Sequence, residues 1–174
     1  PTTTTTTLNR QDFLSVLATL VAATAAPQVS NAAADWGTSP DRPVAVLGAG
    51  GKTGSEVLRA LAKEGLYTVS MTRTGLDPYR VIQLPEVTKA YIAHYPEKVN
   101  VVSLDSLQQA MEAKQVSAII YCASASKQGG TAFQVDDEGV GNAALVAKKM
   151  GARLVVVSAL AVDRPDSKSY QITN

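Results

Sequence analysis

Three glycines, Gly48, Gly51 and Gly54, follow the apolar run Val44-Ala45-Val46-Leu47 and lead into Glu56-Val57-Leu58-Arg59-Ala60-Leu61. Strand, glycine loop and helix form the order that a phosphate-binding turn requires. Glycines let the backbone turn tightly and approach a pyrophosphate, while the helix N-terminus offers free N–H groups to the anion. The chemistry to expect is dinucleotide binding. A nucleoside-triphosphate loop would share Gly51-Lys52-Thr53 but needs a glycine where Val46 stands, so that reading is set aside.

About 20 residues beyond such a loop, a side chain is expected on the adenosine ribose. The strand expected at Tyr67 to Met71 ends in Thr72-Arg73-Thr74, with no carboxylate at that point. A guanidinium flanked by two hydroxyls suits a 2′-phosphate, which Asp or Glu would repel. NADP(H) is therefore favoured over NAD(H). The bland alternative is a solvated loop arginine.

These residues need a scaffold. A chain of 174 residues with 45% hydrophobic content can bury one sizeable core but hardly two. Sixteen Lys and Arg against fifteen Asp and Glu leave a net charge of +1, without a basic stripe, so nucleic acid is not implied. One cysteine, Cys122, excludes an internal disulfide, and the single histidine, His94, has no Cys or His companions for a metal. Both read as structural: Cys122 as a small hydrophobe at a strand end, His94 as a polar residue of the stretch Tyr91 to Tyr95.

Residues 1–42 read as a leader-like apolar arm and linker. Six threonines, the segment Asn9-Arg10-Gln11-Asp12-Phe13-Leu14, an apolar run from Ser15 to Ala26 and the small residues Ala32 to Ala34 resemble a targeting segment. Asn9 to Leu14 is also similar to a twin-arginine export signal in which Gln11 replaces the second arginine. Phe13 to Ala26 is shorter than the roughly 20 residues that cross a bilayer as a helix. The expectation is an arm, residues 8–34, lying on partner protein subunits or peripherally on a membrane, followed by a linker from Asp35 to Pro43.

From residue 43 to 174 the elements alternate. Expected strands are Tyr67 to Thr72, Val99 to Ser103, Ser117 to Cys122 and Leu154 to Ser158, besides the first. A short helix is expected around Glu86 to Tyr95, another through Leu104, Leu107 and Met111. A third should begin near Asp136, with Val140, Ala143, Ala144 and Ala147 on one face and Gly151 closing it. Continuously apolar strands between amphipathic helices predict an α/β fold, a doubly wound parallel sheet.

Taken in order, Gly48-x-x-Gly51-x-x-Gly54, Arg73, Ala123-Ser124-Ala125, Val135-Asp136-x-x-Gly139-x-x-Asn142 and Val156-Val157-Ser158-Ala159 resemble the atypical short-chain dehydrogenase/reductase family, its NmrA-like and plastid members in particular. The resemblance implies a Rossmann domain over residues 43–174. It places Gly48, Gly51, Lys52, Thr53 and Gly54 around the pyrophosphate, Arg73 at the adenosine end, and Ala123 and Ser124 beside the ribose. Active members carry a serine after the fifth strand and then Tyr-x-x-x-Lys, whose lysine lowers the tyrosine pKa for proton transfer. Here Ser158 and Tyr170 are present, but Asn174 stands in the lysine's place. An amide would not favour the phenolate, so no catalytic residue is assigned. The chain reaches only the start of the tyrosine-bearing helix, and no substrate pocket can be read.

Two readings follow. One is a non-catalytic NADP-binding subunit or assembly factor of a photosynthetic membrane complex, docked through residues 8–34, in a plastid at the stromal face of the thylakoid. The other is an NADPH-dependent oxidoreductase with a different proton donor. The absent lysine favours the first, the intact glycine loop with Arg73 the second.

Overall fold

The computed structural model describes residues 35–76, 91–125 and 130–158. β1 (Val44–Leu47) is buried at all its positions, as an apolar run covered on both faces must be. The glycines after it turn the chain into α1 (Lys52–Lys63), which returns to β2 (Thr68–Thr72). β3 (Ile92–Lys98), α2 (Leu104–Ala113) and β4 (Ala118–Tyr121) follow. Six residues of π-helix, Phe133–Glu138, then lead into α3 (Gly139–Met150), and β5 (Arg153–Val156) ends the described elements.

All strand pairs are parallel and the order is β3-β2-β1-β4-β5. The chain winds outward from β1 to β3, crosses back and continues from β4. The strand order thus reverses between β1 and β4, where open sheets of this kind form a crevice at their carboxyl ends.

Because successive strand residues point to opposite faces, the sheet divides its apolar residues between two layers. Ala45, Leu47, Met71, Ile119 and Tyr121 form one core with Leu107 and Met111 of α2 and Val146 and Ala147 of α3. On the other side α1 packs on β1 and β2, burying Val57, Leu58 and Leu61. α3 ends at Gly151, whose φ of 65° is the left-handed cap that glycine adopts without strain.

Residues 35–43, expected as a linker, belong to the same compact unit as the sheet, Asp35–Asn174. The Gly37 N–H donates to the Arg42 carbonyl at 3.0 Å, and the Gly37 carbonyl accepts from the Tyr67 N–H at 2.6 Å. The Ser117 hydroxyl donates to the Arg42 carbonyl at 2.8 Å and accepts from the Gly37 N–H at 3.2 Å. The Arg153 guanidinium lies 4.7 Å from the centre of the Trp36 ring.

The third strand corrects the sequence expectation. Residues 99–103 are a loop, and the strand runs through Ile92–Lys98, where the end of a helix was expected. Pro96 within it has no N–H to give a ladder, but β3 is the edge of this sheet, where a missing N–H is tolerated. The pairing with β2 carries register shifts on either side of Val69. In α3, Ala143, Val146 and Ala147 are buried, whereas Ala144, expected on that face, is exposed.

Candidate functional site

At the carboxyl end of β1 the segment that follows β4 leaves no room for a side chain. Gly48 has a φ of +75°, and a Cβ there would stand 2.7 Å from the Cα and N of Ala123. The Gly48 and Ala49 N–H groups both donate to the Met71 carbonyl, at 3.0 and 3.3 Å, which seats the loop over the end of β2. The Gly51 N–H donates back to the Gly48 carbonyl at 2.9 Å and closes the turn. Gly54 lies in the first turn of α1, where a Cβ would collide with the Gly48 carbonyl oxygen. The three glycines thus have three tasks: a left-handed turn, a tight return and close packing of helix on loop.

The N-terminus of α1 has no side-chain cap and no acidic residue in its first turn. α2 makes the contrast: Ser103 accepts from the Ser106 N–H, and Asp105 sits in the first turn. An uncapped helix start leaves N–H groups without acceptors, and Lys52 adds a positive charge at the positive end of the helix dipole. Both features suit an anion. The residues present therefore fit a diphosphate.

A cleft of about 500 Å³ opens at this point. Of the residues singled out in the sequence, Gly48, Gly51, Lys52, Thr53, Arg73, Ala123 and Ser124 line it. Gly54 does not; it is buried beneath the loop as a packing residue. Arg73 is exposed at the mouth between Thr72 and Thr74, and no Asp or Glu is among the described lining residues. Ser124 is exposed, and the loop bearing it is held where the Ala125 N–H donates to the Asp136 carboxylate at 3.3 Å.

Several lining residues escaped the sequence reading. Asn100 and Val101 line the cleft because the chain leaves the sheet after Lys98, and a strand assigned over Val99 to Ser103 hid them. The signal available was Ser103 two residues before Asp105, a helix-start pattern that leaves no room for a strand so late. Cys122 also lines the cleft, and burial pushes its thiol up to about 12, so it is a poor nucleophile and ligand. Beneath it, the Tyr121 hydroxyl donates to the Val135 carbonyl at 2.5 Å. Burial, and secondarily the Asp136 carboxylate, push that phenol up to about 12.

Ser158 is exposed beyond the end of β5, whose line continues where the Val157 N–H donates to the Tyr121 carbonyl at 2.9 Å. Tyr170 and Asn174 lie outside the described residues, as do residues 8–34. Among the described residues no group of three His, Cys, Asp or Glu could hold a metal ion. No helix among them is long and apolar enough to cross a membrane.

The profile of the RmlD substrate binding domain family matches residues 42–173. No curated protein sequence matches the chain. Among solved structures, the UDP-glucose-4-epimerase of Stenotrophomonas maltophila with bound NAD is similar at 17% identity and a TM-score of 0.56, covering 70% of this chain and 38% of its own. The Bordetella bronchiseptica enzyme WbmG in complex with NAD and UDP is similar at 22% identity and a TM-score of 0.55, covering 72% and 40%. The L-threonine dehydrogenase of Clostridium difficile is similar at 19% identity and a TM-score of 0.51, covering 70% and 37%. The chain spans about two fifths of the length of these structures. It belongs to the RmlD substrate binding domain family, and its fold is the Rossmann fold.

Proposed function

We propose that this member of the family binds a nicotinamide dinucleotide in the cleft, with NADP preferred to NAD. The observation that carries the reading is the junction of Gly48 with the uncapped start of α1. There a cradle that a Cβ would fill meets N–H groups with no side-chain cap. Arg73 and Lys52 at the cleft, with no carboxylate among its described lining residues, support the NADP preference, since a 2′-phosphate gains from a guanidinium and loses beside an acid. The test is direct titration of the chain with NADPH and NADH. Tighter binding of NADPH is expected, equal affinities remove the preference, and no binding of either removes the reading.

Beyond binding, the role we propose is that of a non-catalytic NADP-binding subunit or assembly factor, similar to NmrA-like proteins of plastids. Residues 8–34 would dock it to protein subunits of a photosynthetic membrane complex on the stromal face of the thylakoid. Asn174 in the lysine position supports the lack of turnover, and Phe13, Leu14, Val16, Leu17, Leu20 and Val21 at helical spacing support an arm that needs covering. Affinity purification of the tagged chain from chloroplast membranes tests this. Recovery from the soluble stroma without companions would overturn it. The second reading, an NADPH-dependent oxidoreductase, is favoured by Ser158 beyond the end of β5. NADPH oxidation on offering carbonyl compounds would decide for it.

A further inference from the structure

We propose that Asn142 is the positioning residue for the cleft wall that faces the adenosine end of the dinucleotide, a role that rests on the binding reading above. The wall is the loop after β3, where Asn100 and Val101 line the cleft. This loop is joined to β2 at its start, the Val99 N–H donating to the Thr72 carbonyl at 2.9 Å. Farther along it is organised locally: Asn100 Oδ1 accepts from the Val102 N–H at 3.2 Å, and the Ser106 hydroxyl accepts from the Asn100 N–H at 3.1 Å.

The link from the loop to α3 is Asn142. Its Nδ2 donates to the Val101 carbonyl at 3.2 Å and to the Val102 carbonyl at 3.1 Å. A carboxamide nitrogen carries two N–H donors, and two adjacent carbonyls use both. One turn earlier on the same helix, Gly139 leaves room for the Val101 side chain, since a Cβ there would stand 3.1 Å from Val101 Cγ2. Val101 is thus fixed twice from α3, by its carbonyl at Asn142 and by its methyl at Gly139. Asn142 itself is not among the residues lining the cleft, so it would act on a ligand only by holding this wall.

The experiment compares the chain with its Asn142→Asp variant, which keeps the side chain's shape and removes both donors. Two probes are titrated: 2′,5′-ADP, which needs the adenosine wall and Arg73, and inorganic pyrophosphate, which needs only the glycine cradle. A loss of about tenfold for 2′,5′-ADP is expected, with pyrophosphate affinity and a cooperative thermal transition retained. Should Asn142→Asp not melt cooperatively, Asn142→Ser, which keeps one donor, is expected to give the same split at smaller amplitude. Equal losses for both probes would mean that Asn142 only supports the fold, and no loss for either would mean that the wall does not depend on it. Either overturns the proposal while the binding reading stands. If the unsubstituted chain binds neither probe, the binding reading fails and this role fails with it.

Discussion

Gly48, at the carboxyl end of β1, and Ala123, after β4, approach so closely that a Cβ on Gly48 would stand 2.7 Å from the Cα and N of Ala123. That contact sits where the strand order reverses, and there the two backbones meet with no side chain between them. Gly48→Ala meets both this obstacle and a φ of +75°. The expected cost is about 2 to 4 kcal/mol from the left-handed conformation and overpacking together. Urea denaturation measures it, and an unchanged midpoint would show that the turn relaxes.

Gly50 and Gly54 differ in what a side chain would meet. At Gly50 a Cβ would meet only the Thr72 methyl at 3.7 Å, an ordinary contact, so Gly50→Ala is expected to change stability by less than about 0.5 kcal/mol. At Gly54 the Cβ would meet the Gly48 carbonyl inside van der Waals contact, so Gly54→Ala is expected to cost about 1 to 3 kcal/mol. Equal midpoints for the two variants would contradict the packing role given to Gly54.

How much of this was legible depends on how local the cause is. The glycine cradle was readable because turn, close approach and helix packing are each written in one residue. Arg73 was readable because its place follows from a fixed offset after the loop. The adenosine wall was not, since the apolar Val99, Val101 and Val102 look like a strand until edge position excuses Pro96 and lets the strand lie earlier. Asn142 was noted only as part of a pattern. Its two hydrogen bonds cross 41 and 40 residues, and nothing in local spacing announces them. The binding of residues 35–43 to Ser117 is of the same kind.

Arg73→Ala tests the cofactor preference at its source. A hydrogen bond to a charged group contributes about 1.5 to 3 kcal/mol, so NADPH affinity should fall by about tenfold to a hundredfold while NADH affinity holds. Parallel loss of both would make Arg73 a general support of the cleft mouth, and no loss would remove it from cofactor binding.

Tyr121 makes stability fall in alkali. Its phenol ionises near 10.0 in an unfolded chain and is pushed up to about 12 in the fold. Between those values the folded state holds the proton that the unfolded state has lost, so stability declines as pH rises through the window and is unaffected by this group below it. The Cys122 thiol, raised from 9.0 to about 12, adds to the fall from a lower starting point. Tyr121→Phe should flatten part of the decline. It should also cost about 1 to 3 kcal/mol at neutral pH, because the Val135 carbonyl loses its buried donor. A decline of unchanged steepness in the variant would assign the effect to other groups.

The boundary of the folding unit can be tested by two truncations. The hydrogen bonds that tie residues 35–43 to the sheet all fall within the unit Asp35–Asn174. Removing residues 1–34 is therefore expected to leave a soluble domain with a cooperative thermal transition. Removing residues 1–42 takes away in addition the Gly37 main-chain partner of Tyr67, one acceptor of the Ser117 hydroxyl and the Trp36 face over Arg153. With Ser117 buried and three hydrogen bonds lost, counting the one from the Gly37 N–H to the Ser117 hydroxyl, a further cost of about 1 to 3 kcal/mol follows. Equal melting temperatures would mean that residues 35–42 lie against the sheet without supporting it. Failure of the longer form to fold would place part of the core before Asp35.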